Sequence, residues 1–501
     1  MATLEAHTGF APLRWLKYNL FEKRFNTPVG YIVIGLMAVL IAYMSVFISY
    51  KSVLMLSGVF LFGVIGVACV LFPYFGYYTT ITISCLIFSP ERMIGLSLPF
   101  GFAIEIYSYL TLLGALTQSY AKREIDRTFW RHPITIMMII FLLFFTVQAV
   151  NPSLQSRLGW FNYYRKFISF FAFYFLTYCL LNSKERIRFF LKYWVILISF
   201  LALYACKQQW FGFFAWEQNW IFADEKRVEL LFQQGLMRKF SILSDPAASG
   251  VLFSAFMVFM LVLALRTSNK THKYWLYAFA LICFLGFSYS GTRTGNLILI
   301  GGVFFYALAT INEKRTIRFV TVAAIGFIMV LSVPVYNPVL LRIRSTFEGS
   351  KDPSAAFRDM NRKRIQPYIY SHPIGGGINT CIPEGLIYSP GHYLASFPSD
   401  SGYLKIAVEQ GWMGLALALI FYYLILRTGI KNFYRARAPE IRMWYISLLA
   451  FVFCLMIGQF SQIVIGQYPT IFLYYGSMVI FIKLVNYETP KPEIESSTSL
   501  P

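Results

Sequence analysis

Asp352-Pro353-Ser354-Ala355-Ala356-Phe357-Arg358, Arg362-Lys363-Arg364, His372-Pro373-Ile374-Gly375-Gly376-Gly377 and Pro398-Ser399-Asp400-Ser401-Gly402-Tyr403 mark out one long polar segment. It runs over residues 335–402, opens with Arg342 and Arg344, and lies between apolar spans at 318–334 and 403–426. A polar segment of this length in a largely apolar chain is more often functional than a mere connector. Its reading decides the fold, because everything around it is membrane-like and chemistry has to gather against it.

Hydrophobic residues make up 57% of the 501, charged residues only 13% and aromatic residues 19%, which is outside the soluble range. Apolar spans recur at roughly 30–49, 52–72, 74–88, 94–118, 133–150, 167–181, 189–210, 246–265, 274–289, 294–311, 318–334, 403–426, 443–463 and 468–485. The expected fold is therefore an all-α polytopic membrane protein with about 12–14 transmembrane helices, in which the polar segment carries short helices. The spans at 74–88 and 167–181 are short for a full crossing.

The formal charge of +21 has a membrane reading too. Basic clusters at Lys122–Arg131, Lys184–Arg188, Arg266–Lys273, Lys314–Arg318 and Arg427–Arg442 fall on one side together with Arg14, Lys17, Lys23 and Arg24. By the positive-inside rule that side is cytoplasmic. This places residues 1–29 as a cytoplasmic N-terminal segment, 30–334 and 403–485 as transmembrane helices, and 335–402 as an extracytoplasmic loop. Asn151–Lys166, Lys207–Asp245 and Ser290–Arg293 join that loop on the outer face. The Pro-, Glu- and Ser-rich stretch 486–501 reads as a disordered cytoplasmic tail. No soluble basic domain is left to bind nucleic acid. The N-terminus lacks a short apolar run followed by a cleavage site, so the first span is expected to be retained.

Six of the seven cysteines fall in apolar spans and only Cys381 in the polar segment, without metal-type or disulfide spacing. No Asp-x-Asp pair sits on the outer face, so neither metal nor cofactor is expected. Arg293 closes the turn Ser290-Gly291-Thr292-Arg293 between two apolar spans, where backbone N–H groups of the next helix would add to an anion site. Asp352-Pro353 opens a helix over about 353–366 that puts Arg358 and Arg362 on one face, with Lys363 and Arg364 elsewhere. Asp245-Pro246 reads as an N-cap and first turn, preceded by Arg238 and Lys239. Glu105 lies within an apolar span, either as a functional ionisable group or as a neutral, hydrogen-bonded one. His372, His392 and Asp400 are the titratable groups able to act as a base. Arginines around an anion at the outer leaflet suit phosphates, through an always-charged, two-pronged donor.

These stretches together resemble the O-antigen ligase and O-antigen polymerase superfamily of bacterial envelope glycosyltransferases. The resemblance rests on Arg238–Gly250, Ser290–Arg293, Arg358 and Arg362 leading to His372–Gly377, Asp400–Leu404, and Glu409-Gln410-Gly411-Trp412-Met413-Gly414, over about residues 230–430. It implies a helical, metal-independent, GT-C-like glycosyltransferase of the bacterial inner membrane. Arg293, Arg358, Arg362 and Arg238 would grip the pyrophosphate of an undecaprenyl-pyrophosphate-linked glycan. The acceptor would be a lipid A–core (ligase) or another lipid-linked repeat (polymerase), with membrane lipids around both. Ligases of the family carry a His at the position where this chain reads Asp400-Ser401, so Asp400 or His392 is the implied base, and ligase and polymerase stay open. The rival class is a transporter or flippase of lipid-linked anions, which would show internal repeats and midplane charges.

Overall fold

The computed structural model describes residues 27–47, 50–95, 101–122, 127–233, 235–332 and 353–488, with isolated positions at Tyr18, Lys23 and Arg344. Most of the expected segments 1–29 and 486–501 falls outside the described residues, as does 335–352 apart from Arg344, so Arg342 and the Asp352 cap lie there too.

The chain folds as an all-α polytopic membrane protein. It begins with α1 (Pro28–Phe47), α2 (Tyr50–Leu71), α3 (Pro73–Leu86), α4 (Phe88–Ile94), α5 (Gly101–Lys122) and α6 (Pro133–Val147). Then come α7 (Arg157–Leu180), α8 (Lys184–Trp210), α9 (Ala215–Phe222) and α10 (Glu225–Leu231). A two-residue antiparallel hairpin, β1 (Phe232–Gln233) and β2 (Leu236–Met237), supplies the only sheet among the described residues. After it follow α11 (Pro246–Arg266), α12 (Lys270–Ser290), α13 (Arg293–Ala309), α14 (Lys314–Ser332) and α15 (Pro353–Ser371). The chain closes with α16 (Gly402–Glu409), α17 (Gly411–Arg435), α18 (Pro439–Gly458) and α19 (Thr470–Lys483).

Among the described residues, six helical stretches are long and apolar enough to cross a membrane: Pro133–Val150, Lys184–Trp210, Pro246–Arg266, Gly411–Arg435, Pro439–Gly458 and Thr470–Tyr487. Shorter apolar helices add Pro28–Leu40, Ser57–Leu71 and Arg293–Ala309. The apolar windows of α11 and α18 are 78% buried, against 39% for α6 and 33% for α17, so the first two form the centre and the others the lipid-facing rim. Exposed Val33, Leu36 and Leu40 on α1, and Ile196, Phe200 and Leu203 on α8, make apolar bands that water would not tolerate. Interhelix packing in lipid depends on close approach of small residues. Gly250 on α11 is such a point: a Cβ there would lie 2.4 Å from Thr292 Cβ and 2.5 Å from Ser290 Oγ.

Three of the boundaries that differ from those read in the sequence bear on the polar residues. The span placed at 167–181 is the second half of α7, which starts at Arg157 because Ser156 Oγ accepts the Gly159 N–H and caps it. Arg165 and Lys166 are therefore helical. The helix opened at Pro353 continues through Pro367 to Ser371, since Ile365 and Tyr368 bury into a small core with Cys381, Leu394 and Val408. Asn361 and Ile365 face inward, whereas Lys363 and Arg364 are exposed. Finally, the span at 403–426 breaks into α16 and α17 at Gln410–Gly411. Gly411 has φ +73°, and a Cβ on it would sit 2.0 Å from Pro373 O. Gly376 N–H donates to Val408 O and Gly377 N–H to Glu409 O, so the triple-glycine turn is seated against that break. Gln148 and Asn151 side chains donate to Ile374 O from the other side.

Candidate functional site

The polar residues converge at the end of the bundle where α11, α13 and α16 begin. Asp245 opens α11: its Oδ1 accepts the Ala247 and Ala248 N–H groups at 2.8 and 2.9 Å, and its Oδ2 the Ser244 hydroxyl at 2.7 Å. Arg92 secures this start by donating to Leu243 O and Ser244 O, with Trp220 and Phe240 packed against its guanidinium.

The hairpin delivers Arg238 to the same place. Its Nε donates to Ser290 O at 2.9 Å and its Nη2 to Thr292 Oγ1 at 3.3 Å, while Thr292 Oγ1 donates on to Pro246 O. Arg238 is thus bonded to the turn that ends in Arg293, the first residue of α13. Burial pulls the Arg238 guanidinium below its ordinary value; Asp245 opposes the shift and the adjacent Arg293 charge adds to it. Arg293 at the first position of α13, with Arg238 bonded to the turn just before it, favours an anion there.

The other side is built by α15 and the loop after α18. Ser461 Oγ donates to Thr294 Oγ1 at 3.0 Å, fixing that loop to α13. Arg362 donates to Phe460 O at 3.3 Å and stacks over the Phe460 ring at 4.5 Å. Arg358 Nε stands 3.6 Å from Asp400 Oδ2, both side chains being about half-exposed. Asp400 also lines a cavity of about 220 Å³ with Asp245, Ser399, Gln462 and Gln467, and a neighbouring cleft with Arg358, Asn361, Arg362 and Ser461. Contacts thus run from Arg238 through the Ser290–Arg293 turn and Thr294 to Ser461, which lines the cleft of Arg358, Arg362 and Asp400, and together these make one polar rim.

His392 lies apart from that rim. Its Nδ1 accepts the Leu394 N–H at 3.1 Å and its ring packs against Gly376. Burial lowers its pKa, a hydrogen bond at the Ser153 backbone opposes this, and His372 adds to it. His372 stacks on Tyr368, ring centroids 3.9 Å apart. Neither histidine lines the clefts that hold Asp400. Glu105 has a partner, forming an ion pair with Arg165, whose guanidinium also lies 3.8 Å over the Phe102 ring.

Gln459 is a residue that the sequence reading missed. Its carbonyl accepts the Ser401 hydroxyl and the Gly402 N–H, and its Oε1 accepts the Val464 and Ile465 N–H groups at 2.8 and 3.0 Å. It therefore holds the residue next to Asp400 and shapes the cavity loop. The only signal was an amide at the end of an apolar span, followed by Ser461-Gln462. Gln459→Ala should lower the turnover of any reaction at Asp400 roughly 10–100-fold, the scale of a misplaced reacting group, with anion binding near the arginines unchanged. Steady-state kinetics that show a pure KM effect would remove this positioning role.

Among the described residues, no group of three or more His, Cys, Asp or Glu side chains could hold a metal. A model of the O-antigen ligase family matches residues 278–419, a segment that includes Arg293, Arg358, Arg362, His392 and Asp400 but not Arg238, Asp245 or Gln459. No curated protein matches the chain.

Proposed function

We propose that this chain is a member of the O-antigen ligase and polymerase superfamily, whose ligase model matches residues 278–419, and that it transfers a glycan from an undecaprenyl-pyrophosphate donor to an acceptor outside the cytoplasm. The observation that carries the reading is the cleft shared by Arg358, Arg362 and Asp400, joined through Ser461 and Thr294 to the turn where Arg238 and Arg293 stand. Forked guanidiniums suit a pyrophosphate. Fixed in place, they stabilise the charge that builds on it as the anomeric carbon–oxygen bond breaks. Asp400 is positioned to take the proton from the attacking hydroxyl, and no metal is required by this arrangement. The acceptor is a lipid A–core or a second lipid-linked repeat.

Purified protein supplied with a lipid-pyrophosphate glycan and each acceptor tests the reading directly. Single transfer to lipid A–core identifies a ligase and chain growth a polymerase; no transfer to either removes the proposal. We place the enzyme in the bacterial inner membrane with this rim outside, on the strength of the Lys and Arg asymmetry. In a cysteine-free background, Lys363→Cys should react with an impermeant thiol reagent on intact spheroplasts and Lys431→Cys should not, both positions being exposed. The opposite labelling pattern would place the rim on the cytoplasmic side.

A further inference from the structure

A second, larger chamber of about 600 Å³ lies beside the arginine rim, between α5, α6, α7, α17 and α19. Part of its wall is aromatic: Phe141, Phe170, Phe421, Tyr422, Tyr474 and Tyr475. The rest includes polar side chains, Asn162, Lys166, Glu384, Lys405, Glu409 and Gln410. The two cavities share a wall. Ile463 and Gln467 line both, and Gly402, two residues after Asp400, lines the chamber.

Its charges are balanced, unlike those of the rim. Lys405 Nζ lies 2.8 Å from Glu384 Oε2 and 4.0 Å from Glu409 Oε1. Arg165 pairs with Glu105, and Lys166 sits over the Phe170 and Tyr468 rings at 5.6 and 5.3 Å. The chamber's cations Arg165, Lys166 and Lys405 thus stand with Glu384 and Glu409 in its wall and with Glu105 behind Arg165, which gives a phosphate no advantage. Hydrocarbon does not fit well either. An acyl chain would strip water from Asn162, Glu384 and Lys405 without replacing its hydrogen bonds, at a cost of about 1–3 kcal/mol for each group left unpaired. Sugars present what the walls need: C–H faces for aromatic rings, and hydroxyls for carboxylates and amides.

We infer that this chamber binds an uncharged stretch of the acceptor glycan and delivers its hydroxyl past Gln467 to Asp400. The inference rests on the transferase reading for the word acceptor, and on the chamber alone for the word glycan. The attacking hydroxyl would form the new glycosidic bond as the bond to pyrophosphate breaks, its proton passing to the Asp400 carboxylate.

The test uses full-length protein in detergent and three soluble probes. These are inorganic pyrophosphate and the delipidated repeat-unit and core oligosaccharides released by mild acid from the producing cells. At least one oligosaccharide should bind, and Glu384→Gln and Asn162→Ala should each weaken it by about tenfold, the scale of one lost hydrogen bond. Pyrophosphate binding should stay unchanged in both variants, which also reports that they are folded. Oligosaccharide binding that survives both variants but is lost in Arg293→Ala overturns the chamber, as does binding of neither oligosaccharide. Normal acceptor KM in both variants during active transfer overturns it too. Binding in the chamber by wild-type protein that transfers nothing keeps the glycan site and removes the transferase reading.

Discussion

Arg293→Ala should lower glycan transfer by roughly 10²–10³-fold, about 3–4 kcal/mol of transition-state stabilisation, the typical loss for one preorganised charge partner. Arg293 is the first residue of α13, and the turn before it is bonded to Arg238, to the start of α11 and, through Thr294, to Ser461. Its position is thus set by three elements, more firmly than that of the half-exposed Arg358. Arg293→Lys should recover only part of the rate, because an ammonium lacks the planar fork that meets two phosphate oxygens in parallel. Membrane insertion and yield should stay near wild type in both variants. A boundary arginine that merely snorkels to headgroups would accept lysine without loss. Full transfer by Arg293→Lys at limiting donor would therefore end the phosphate-gripping role.

The sequence made the capped and polar elements legible and left the interhelix ones hidden. Asp245-Pro246 announced the start of α11, and the four-residue spacing of Arg358 and Arg362 announced the face of α15, because both are local signals. The turn Ser290–Arg293 stood out for the same reason. That Arg238 is bonded to that turn, 52 residues away at Ser290, depends on Gly250 letting it nest against α11; hydropathy carries no trace of such a contact. The N-terminal third of α7 was read as loop because Asn162, Tyr163, Arg165 and Lys166 look like surface. They are polar because they line a chamber inside the bundle. His392 invited a catalytic reading through its nearness to Asp400 in the chain. The fold turns it instead toward Gly376 and Leu394, in the aromatic cluster under the glycine turn.

Asp400→Asn should lower kcat by about 10²–10⁴-fold, the range for loss of a general base. The carboxylate lines both the cavity, whose Ile463 and Gln467 also line the chamber, and the neighbouring cleft of Arg358 and Arg362, so in the proposed transfer it can reach a hydroxyl entering from the chamber side. Its contact with Arg358 offers a competing role, that of a mere anchor for the guanidinium. The two roles separate kinetically. An anchor would raise the donor KM, would be mimicked by Arg358→Ala, and would be largely preserved by the isosteric amide. A base would lower kcat at unchanged donor KM. His392→Ala should keep near-normal turnover, as the imidazole faces neither cleft and already accepts the Leu394 N–H. If Asp400→Asn turns over normally and His392→Ala does not, the base is His392, and the helix start at Ser401 serves only to shape the cavity.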